Sequence, residues 1–245
     1  MTQPHLSSFK NIALFGSHGA IGKAFANYFL ALPIQSLHTF SRYTTDITDP
    51  RSTHINLDIT DEAKIINVAN SLDANTTFDL ILITTGLLHN TDISPEKTIR
   101  SLSQNTLRTY FDVNAIAPML ITKAFLPFLS KTAPSTIAML SARVGSITDN
   151  SLGGWYGYRA SKTALNMMIK TLSIELSYSH KESIVVGLHP GTVASNLSKP
   201  FTQNYSKNPI FTPQECVQYL ANVLNGLTTD SSGHCFAWDG SKIDA

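Results

Sequence analysis

The chain has 245 residues, a formal net charge of +1 and 42% hydrophobic residues. Its basic residues are scattered rather than gathered in runs, which argues against nucleic acid or an anionic membrane as a partner. Two cysteines, Cys216 and Cys235, are too few for a disulfide framework or a cysteine-rich metal site. The apolar runs are too short to span a bilayer, and the first residues lack the layout of a secretion signal. We therefore expect a cytoplasmic protein without a bound metal.

Apolar runs of strand length alternate along the chain with longer stretches of helical periodicity. The predicted strands cover residues 11–15, 36–40, 54–58, 78–84, 136–140, 183–188 and 234–238. The predicted helices cover residues 20–32, 61–72, 102–129, 155–178 and 213–224, the third of them bent near Pro118. Near-continuous apolar strands between helices predict a parallel sheet covered on both faces. The predicted fold class is α/β, a single doubly wound domain over residues 1–245 with a mostly seven-stranded parallel sheet.

The first predicted strand runs directly into a glycine-rich turn that opens a helix. The turn reads Gly16-Ser17-His18-Gly19-Ala20-Ile21-Gly22. A pyrophosphate can approach the backbone only where side chains are absent, and the following helix offers free N–H groups and its positive dipole end. The spacing of the glycines differs from the commonest dinucleotide fingerprint, and an ordinary strand-to-helix turn is the alternative. We interpret the turn as the dinucleotide-binding turn of a Rossmann-type domain.

The end of the second predicted strand favours one cofactor over the other. An acidic residue there would bind the 2′-hydroxyl of adenosine, whereas an arginine favours a 2′-phosphate. The residues are Ser41 and Arg42, and the nearest acid is Asp46. His18 in the turn adds a second candidate donor. NADP(H) is therefore predicted over NAD(H), the alternative being that Arg42 simply points into water.

Tyr158 and Lys162 are one helical turn apart, so both side chains leave the same face of a helix. A nearby cation favours the phenolate and lowers the pKa of a tyrosine, which is ordinarily near ~10. The pair is therefore a candidate acid/base for a proton moving to or from an alcohol oxygen. The alternative is a solvated helix face, where such pairs are common.

These motifs together resemble the short-chain dehydrogenase/reductase family over nearly the whole chain. Within that family the chain looks most like the C-factor (C-signal) group. That closer resemblance rests on Gly145-Ser-Ile-Thr-Asp-Asn-Ser-Leu-Gly-Gly-Trp-Tyr-Gly-Tyr-Arg-Ala-Ser-Lys162, His189-Pro-Gly-Thr-Val193, Leu197-Ser-Lys-Pro-Phe201 and Phe236-Ala-Trp-Asp-Gly240.

The resemblance implies three catalytic roles. Tyr158 exchanges a proton with the substrate oxygen. Lys162 holds the hydroxyls of the nicotinamide ribose and lowers the pKa of Tyr158. Asn114 anchors the water of a proton relay, although a helix-interior asparagine that satisfies a kinked backbone is a second interpretation.

The resemblance also implies further contacts to the cofactor. Thr85 and Gly86 pass beside the adenosine ribose, in a segment where the asparagines of the family are missing. The Asp58 carboxylate and the Ile59 N–H meet the adenine. The segment beside the nicotinamide contributes Pro190, Gly191, Val193 and Ser195.

The catalytic serine of the family has no clear counterpart. Family members carry it three residues before the glycine that here is Gly145, and Ala142 stands at that position. Ser141 comes one residue earlier, on the opposite face of an extended strand, and Ser146 comes just after the glycine. A bulge could bring Ser141 into the site. We rank Ser141 ahead of Ser146, and the third option is that no serine acts.

We therefore expect an NADP(H)-dependent oxidoreductase that transfers a hydride between the nicotinamide and a carbonyl or secondary alcohol. The segment Ser195–Phe211, rich in polar residues, is the expected substrate lid. The alternative is a cofactor-binding signalling or sensing protein with little turnover. The resemblance further implies a homodimer or homotetramer formed through the helices at 102–129 and 155–178.

Overall fold

A computed structural model describes residues 9–202 and 209–245. The strands are β1 Asn11–Phe15, β2 Ser36–Ser41, β3 Ser52–Asn56, β4 Leu80–Ile83, β5 Ser135–Leu140, β6 Ser183–His189, β7 Thr192–Val193, β8 Ile210–Phe211, β9 His234–Ala237 and β10 Lys242–Ile243. The helices are α1 Ala20–Leu30, α2 Glu62–Asn70, α3 Gln104–Phe111, α4 Ala117–Phe125, α5 Tyr156–Ser179, α6 Lys199–Thr202 and α7 Pro213–Asn225. Each predicted strand and helix has its counterpart here, with ends that differ by a few residues.

Eight strands form one sheet in the order β10-β9-β6-β5-β4-β1-β2-β3. All neighbouring pairs from β3 to β9 are parallel, and β10 alone runs antiparallel, to β9. The predicted seven-stranded parallel sheet is confirmed, with β10 added at its edge. The strand order reverses between β1 and β4, and ligands of such sheets bind at the carboxyl ends of the strands near that reversal.

The alternating side chains of the strands build a separate core on each face of the sheet. In β1, Ile12 and Leu14 pack with α1 and α7, whereas Ala13 and Phe15 pack with α2, α4 and α5. Phe15 stacks on Phe40 with ring centroids 4.3 Å apart, and Phe125 meets Phe15 edge-on at 4.9 Å. Because each fully buried aromatic ring contributes roughly 1.5–3 kcal/mol, these layers hold the strand ends rigidly.

The helix predicted at 102–129 is interrupted by a π-helical turn, Asp112–Ile116. Pro118 follows it, and a proline cannot donate the N–H that an α-helix would direct at the Asn114 carbonyl. The Ala117 N–H instead bonds the Asp112 carbonyl, five residues back. The irregularity therefore falls on Asn114, and single π turns of this kind are frequent at functional sites.

One helical stretch among the described residues, Gln104–Phe128, is long and apolar enough to cross a membrane by length and composition. The stretch contains polar residues and is therefore not one of the uninterrupted apolar runs that are too short to span a bilayer. Core helices pass the same test. In this stretch Ile121 and Phe125 are fully buried against the sheet, which accounts for its apolar composition.

Candidate active site

The glycine turn folds back on itself at the carboxyl end of β1. Gly16 adopts a φ of +86°, and its N–H bonds the Phe40 carbonyl at 2.8 Å, which ties the turn to β2. A Cβ at Gly22 would overlap the Gly16 carbonyl oxygen and lie 2.8 Å from Thr84 Oγ1. Gly19 precedes α1 and has no side chain with which to cap the helix, while Ile21 packs into the core. The turn therefore presents bare backbone and the N–H groups of α1 to an incoming anion.

A cavity of about 280 Å³ lies beside this turn, at the end of β2. Its lining consists of Ser17, His18, Lys23, Ser41, Thr44, Thr45 and Asp46. Lys23 is paired with Asp46 at 2.8 Å, and the His18 ring lies 4.6 Å from the Tyr43 ring.

Arg42 directly follows β2, as the sequence predicted, but it does not line this cavity. Its contact with a 2′-phosphate stays a prediction. Its guanidinium is exposed and lies 5.7 Å from the centre of the Tyr43 ring. Lys23, which the sequence analysis did not select, is the cation of the cavity lining. In the sequence, Lys23 could have been found from its position directly after Gly22, in the first turn of α1.

The segment after β4 lies between the glycine turn and α5. Thr84 Oγ1 donates to the Phe15 carbonyl at 2.7 Å, whereas Thr85 Oγ1 is buried without a partner among the described residues. A Cβ at Gly86 would lie 3.6 Å from Lys162 Nζ and 3.7 Å from Asn114 Oδ1. Gly86 thus leaves open backbone facing two of the predicted catalytic residues.

Asp58 and Ile59 follow β3 at the same edge of the sheet. Asp58 Oδ1 accepts bonds from the Thr60 N–H at 3.0 Å and from Thr60 Oγ1 at 2.8 Å. Ile59 packs against the core. These contacts fix the turn beyond β3, on the side of the sheet where the adenine was predicted.

The segment predicted to border the nicotinamide is anchored to β8. Gly191 has a φ of +72°, and a Cβ there would lie 2.8 Å from the Phe211 ring, so neither the conformation nor the space suits a larger residue. Val193 pairs with Phe211. Ser195 Oγ lies 3.5 Å from Ser198 Oγ. Pro190 precedes the turn, and its carbonyl accepts from Cys216 Sγ at 3.6 Å.

The predicted lid, Ser195–Phe211, is only partly covered by the structure, since 203–208 lie outside the described residues. Its first part contacts the loop after β4, where His89 Nε2 lies 2.9 Å from the Asn196 carbonyl. The two segments expected to border a substrate therefore meet directly.

Tyr158 is the third residue of α5 and is 9% exposed. Its ring meets those of Tyr110 and Trp155 edge-on, with centroids 6.1 and 6.2 Å away. Leu88 and Ile93 complete this apolar corner. Burial raises the pKa of Tyr158 to about 12, so its phenol is protonated at neutral pH.

Lys162, one turn further along α5, is 3% exposed and donates from Nζ to the Leu140 carbonyl at 2.8 Å. Burial lowers its pKa to about 8. The sequence predicted that Lys162 would lower the pKa of Tyr158, and this expectation is corrected for the structure as it stands. The cause is that burial of Tyr158 outweighs a cation whose ammonium is directed at Leu140.

Asn114 joins three elements through its side chain. Oδ1 accepts from the Leu87 N–H at 2.8 Å, and Nδ2 donates to the Leu87 carbonyl at 2.9 Å. Nδ2 also reaches Ser161 Oγ at 3.1 Å, which in turn donates to the Tyr158 carbonyl. The side chain thus holds the loop after β4 against α5, and its role in a proton relay stays a prediction.

The structure does not bring Ser141 to Tyr158, which corrects our choice of serine. Ser141 Oγ donates to Asn166 Oδ1 at 2.5 Å, on the other side of the strand end, because successive residues of a strand face opposite ways. Ala142 packs in the corner with Tyr158. Ser146 Oγ accepts from the Asp149 N–H at 3.1 Å within its own loop. The position beside Tyr158, where the family carries its serine, is therefore occupied by the methyl group of Ala142.

Comparisons with known proteins agree with this arrangement. A family model described as short chain dehydrogenase matches residues 10–206. The chain is 32% identical to the C-signal of Myxococcus xanthus over 133 residues, which are 54% of this chain and 75% of that protein. It is 33% identical to 1-hydroxy-2-glutathionyl-2-methyl-3-butene dehydrogenase of Rhodococcus sp. (strain AD45) over 146 residues, 59% of this chain and 61% of that one.

Among solved structures, the NADPH-bound carbonyl reductase from chicken fatty liver superposes with a TM-score of 0.84. The match covers 96% of this chain and 99% of that one at 24% identity. At this identity the likeness establishes the fold, an α/β domain with a parallel sheet.

Proposed function

Since the chain belongs to the short-chain dehydrogenase family, as a nicotinamide-dependent oxidoreductase of the C-signal-like group, we propose that it uses NADP(H) to interconvert a carbonyl compound and an alcohol. The observation that carries the proposal is the position of Gly86 beside Lys162 and Asn114. There the open backbone beyond β4 faces both Lys162 and Asn114, within reach of the corner that holds Tyr158. The backbone at Gly86 and the side chain of Lys162 can hold a cofactor, and Tyr158 can deliver a proton.

The residues present fit a nicotinamide dinucleotide. The glycine turn leaves bare backbone before the uncapped start of α1, where a pyrophosphate would lie. The buried hydroxyl of Thr85, which has no partner among the described residues, would gain one from a ribose. Lys162 would hold the second ribose, and Gly191 and Val193 would border the nicotinamide.

The bound cofactor would supply or accept the hydride, while the protein handles the proton. In the reductive direction Tyr158 donates its phenolic proton to the oxygen of the substrate carbonyl. The raised pKa of Tyr158 keeps that proton in place at neutral pH. The apolar corner of Leu88, Ile93 and Trp155 excludes water from the donor.

The cavity beside His18 and Lys23 supports NADP(H) over NAD(H). A 2′-phosphate there would meet the ammonium of Lys23 and the hydroxyls of Ser17 and Ser41. The carboxylate of Asp46, now paired with Lys23, would have to give way to the phosphate.

A parallel fluorescence titration with NADPH and NADH tests the choice of cofactor. We expect NADPH to bind at least about tenfold more tightly, a difference of ~1.4 kcal/mol. Lys23→Met should weaken NADPH binding and leave NADH binding unchanged. Lys64→Met, which removes an exposed lysine of α2 that is likewise paired with an aspartate, is the matched control. Equal affinity for both cofactors, or no effect of Lys23→Met, would contradict the preference.

A second candidate function is a cofactor-binding signalling protein with little turnover. It is favoured by the methyl group of Ala142 beside Tyr158 and by the similarity to the C-signal. A screen of carbonyl compounds against the wild type and Tyr158→Phe separates the two. Turnover that depends on Tyr158 supports the enzyme, and NADPH binding without any turnover supports the signalling protein.

A further inference from the structure

The helix that carries Tyr158 begins in an unusual way. Trp155, the residue before α5, has a φ of +53° and is the one non-glycine residue with positive φ in the described parts of the chain. Such a conformation costs free energy and persists where the surroundings enforce it. The first turn, Tyr156-Gly157-Tyr158-Arg159, contains no acidic residue to offset the positive end of the helix. Something outside the helix must therefore hold its start.

Glu96, 61 residues away in sequence from Gly157, holds it at two points. Its carbonyl accepts from the Trp155 N–H at 2.5 Å. Its carboxylate Oε2 accepts from the Gly157 N–H at 3.1 Å. Gly157 is the second residue of α5, so Glu96 satisfies an N–H group that the helix itself leaves unpaired.

The fit between Glu96 and the helix is close. A Cβ at Gly157 would lie 2.9 Å from Glu96 Oε1 and 2.5 Å from the Tyr110 ring. The carboxylate therefore rests against the bare Cα of Gly157, and Glu96 is only 3% exposed. Its Oε1 is buried without a partner among the described residues. A buried carboxylate with one unpaired oxygen is costly, which argues for a role besides stability.

Glu96 also lies close to side chains that pack around Tyr158. The Glu96 charge helps to raise the pKa of Tyr110, which burial, the largest cause, already raises, so the carboxylate and this ring are close. Tyr110 packs edge-on against Tyr158 and donates its hydroxyl to the Leu88 carbonyl. Ile93, three residues before Glu96, lies in the same apolar corner. Moving Glu96 would therefore displace both the start of α5 and the rings that pack against Tyr158.

We propose that Glu96 is the positioning residue for Tyr158: by capping α5 from outside, it sets the place of the phenol relative to the substrate oxygen. This inference rests on the proposed function for its effect on turnover. Its effect on the helix start is independent of turnover, since the side chain acts there through the bond that Oε2 accepts from the Gly157 N–H, whereas the backbone bond to Trp155 remains in any Glu96 variant.

The test compares Glu96→Ala with Glu96→Gln. The glutamine keeps an acceptor for the Gly157 N–H, so it should retain most of the wild-type kcat. The alanine should lower kcat about 10- to 100-fold, because a proton donor displaced by a fraction of an ångström transfers poorly. The Kd for NADPH should stay within about twofold in both variants, since the contacts of Glu96 described above lie at the start of α5 and not at the glycine turn. Glu215→Ala, which removes a capping carboxylate from α7, is the matched control and should leave kcat unchanged.

Amide hydrogen exchange provides the readout that does not need turnover. Glu96→Ala should speed exchange at the start of α5 about tenfold or more, Glu96→Gln much less, and Glu215→Ala should act only at the start of α7. If the wild type reduces no carbonyl compound, the proposed function fails while exchange still decides whether Glu96 holds the helix. Wild-type exchange at Gly157 in Glu96→Ala overturns the proposal. So does a loss of kcat that is equal in Glu96→Ala and Glu96→Gln.

Discussion

The starts of α1 and α5 are both helix N-termini near the carboxyl edge of the sheet, yet they are built in opposite ways. Gly19 leaves the start of α1 bare, and the glycine turn before it has no side chain in the way of an anion. The start of α5 is closed by the buried carboxylate of Glu96 and by aromatic rings around Tyr158. An open N-terminus suits a phosphate, and a closed one suits a proton donor that must be kept from water.

The open N-terminus depends most on Gly22. We expect Gly22→Ala to abolish cofactor binding and to lower the free energy of unfolding by several kcal/mol, because the new Cβ overlaps the Gly16 carbonyl oxygen. Gly19→Ala is the control, since a Cβ there meets the Gly16 carbonyl oxygen at 3.4 Å, an ordinary contact. That variant should fold normally and bind NADPH more weakly. Calorimetry and fluorescence titration measure both effects, and normal NADPH binding by Gly22→Ala would refute this account of the turn.

The proposed function of the closed N-terminus depends on the phenol of Tyr158. We expect Tyr158→Phe to lower kcat about 10²- to 10⁴-fold, the usual range for loss of a general acid. The Kd for NADPH should change less than twofold. Tyr156→Phe, two residues earlier and exposed, should keep wild-type kcat. A Tyr158→Phe enzyme with wild-type kcat would show that another group donates the proton.

Burial of Lys162 should be visible in the pH dependence of stability. Burial lowers the pKa of Lys162 from 10.5 to about 8 in the folded protein. The buried charge therefore lowers the free energy of unfolding by its full amount below about pH 8, and this loss disappears as the pH rises towards 10.5. Relative to Lys162→Met, the free energy of unfolding of the wild type should therefore rise by ~2–3 kcal/mol between pH 7.5 and pH 10. Urea unfolding of both proteins at the two pH values measures this difference. Both proteins should carry Cys235→Ala, because the Cys235 thiol and Lys162 shift each other's pKa. A constant difference between the two pH values would contradict the burial of a charged Lys162.

The methyl group of Ala142, in the segment after β5, is where the corner around Tyr158 departs from the family pattern. We expect Ala142→Ser to raise kcat about tenfold, because a hydroxyl beside Tyr158 would donate a hydrogen bond to the developing oxyanion. Steady-state kinetics on one carbonyl compound measures the change. Ala142→Gly, which removes the methyl group without adding a donor, is the control. An Ala142→Ser variant no faster than the wild type would mean that the site does not orient a hydroxyl there.

The open N-terminus could be predicted from the sequence because its determinants are contiguous. The turn and its dinucleotide ligand were predicted from the spacing of Gly16, Gly19 and Gly22. The parallel sheet was predicted from apolar runs that alternate with helical stretches. The sequence pointed to Arg42 at the end of β2 but did not indicate that Lys23 also lines the cavity there, since spacing along the chain does not show which side chain bends inward.

The closed N-terminus could be predicted only in part, because its determinants are distant in sequence. Tyr158 and Lys162 stood out by their helical spacing. Glu96 did not, since its partner Gly157 lies 61 residues further on and belongs to another element. The choice between Ser141 and Ala142 depended on which face of the strand end turns towards α5, and one residue of register reverses that answer.

The most direct test of the account is the turnover of Ser141→Ala beside that of Tyr158→Phe, on the same carbonyl compound with NADPH. The Ser141 hydroxyl bonds Asn166 rather than the catalytic corner. We therefore predict that kcat/KM of Ser141→Ala stays within about twofold of the wild type, with a loss of only ~1 kcal/mol in stability from the missing hydrogen bond. A loss of kcat/KM of about 10²-fold or more, comparable to that of Tyr158→Phe, would contradict the claim that Tyr158 acts here without a serine.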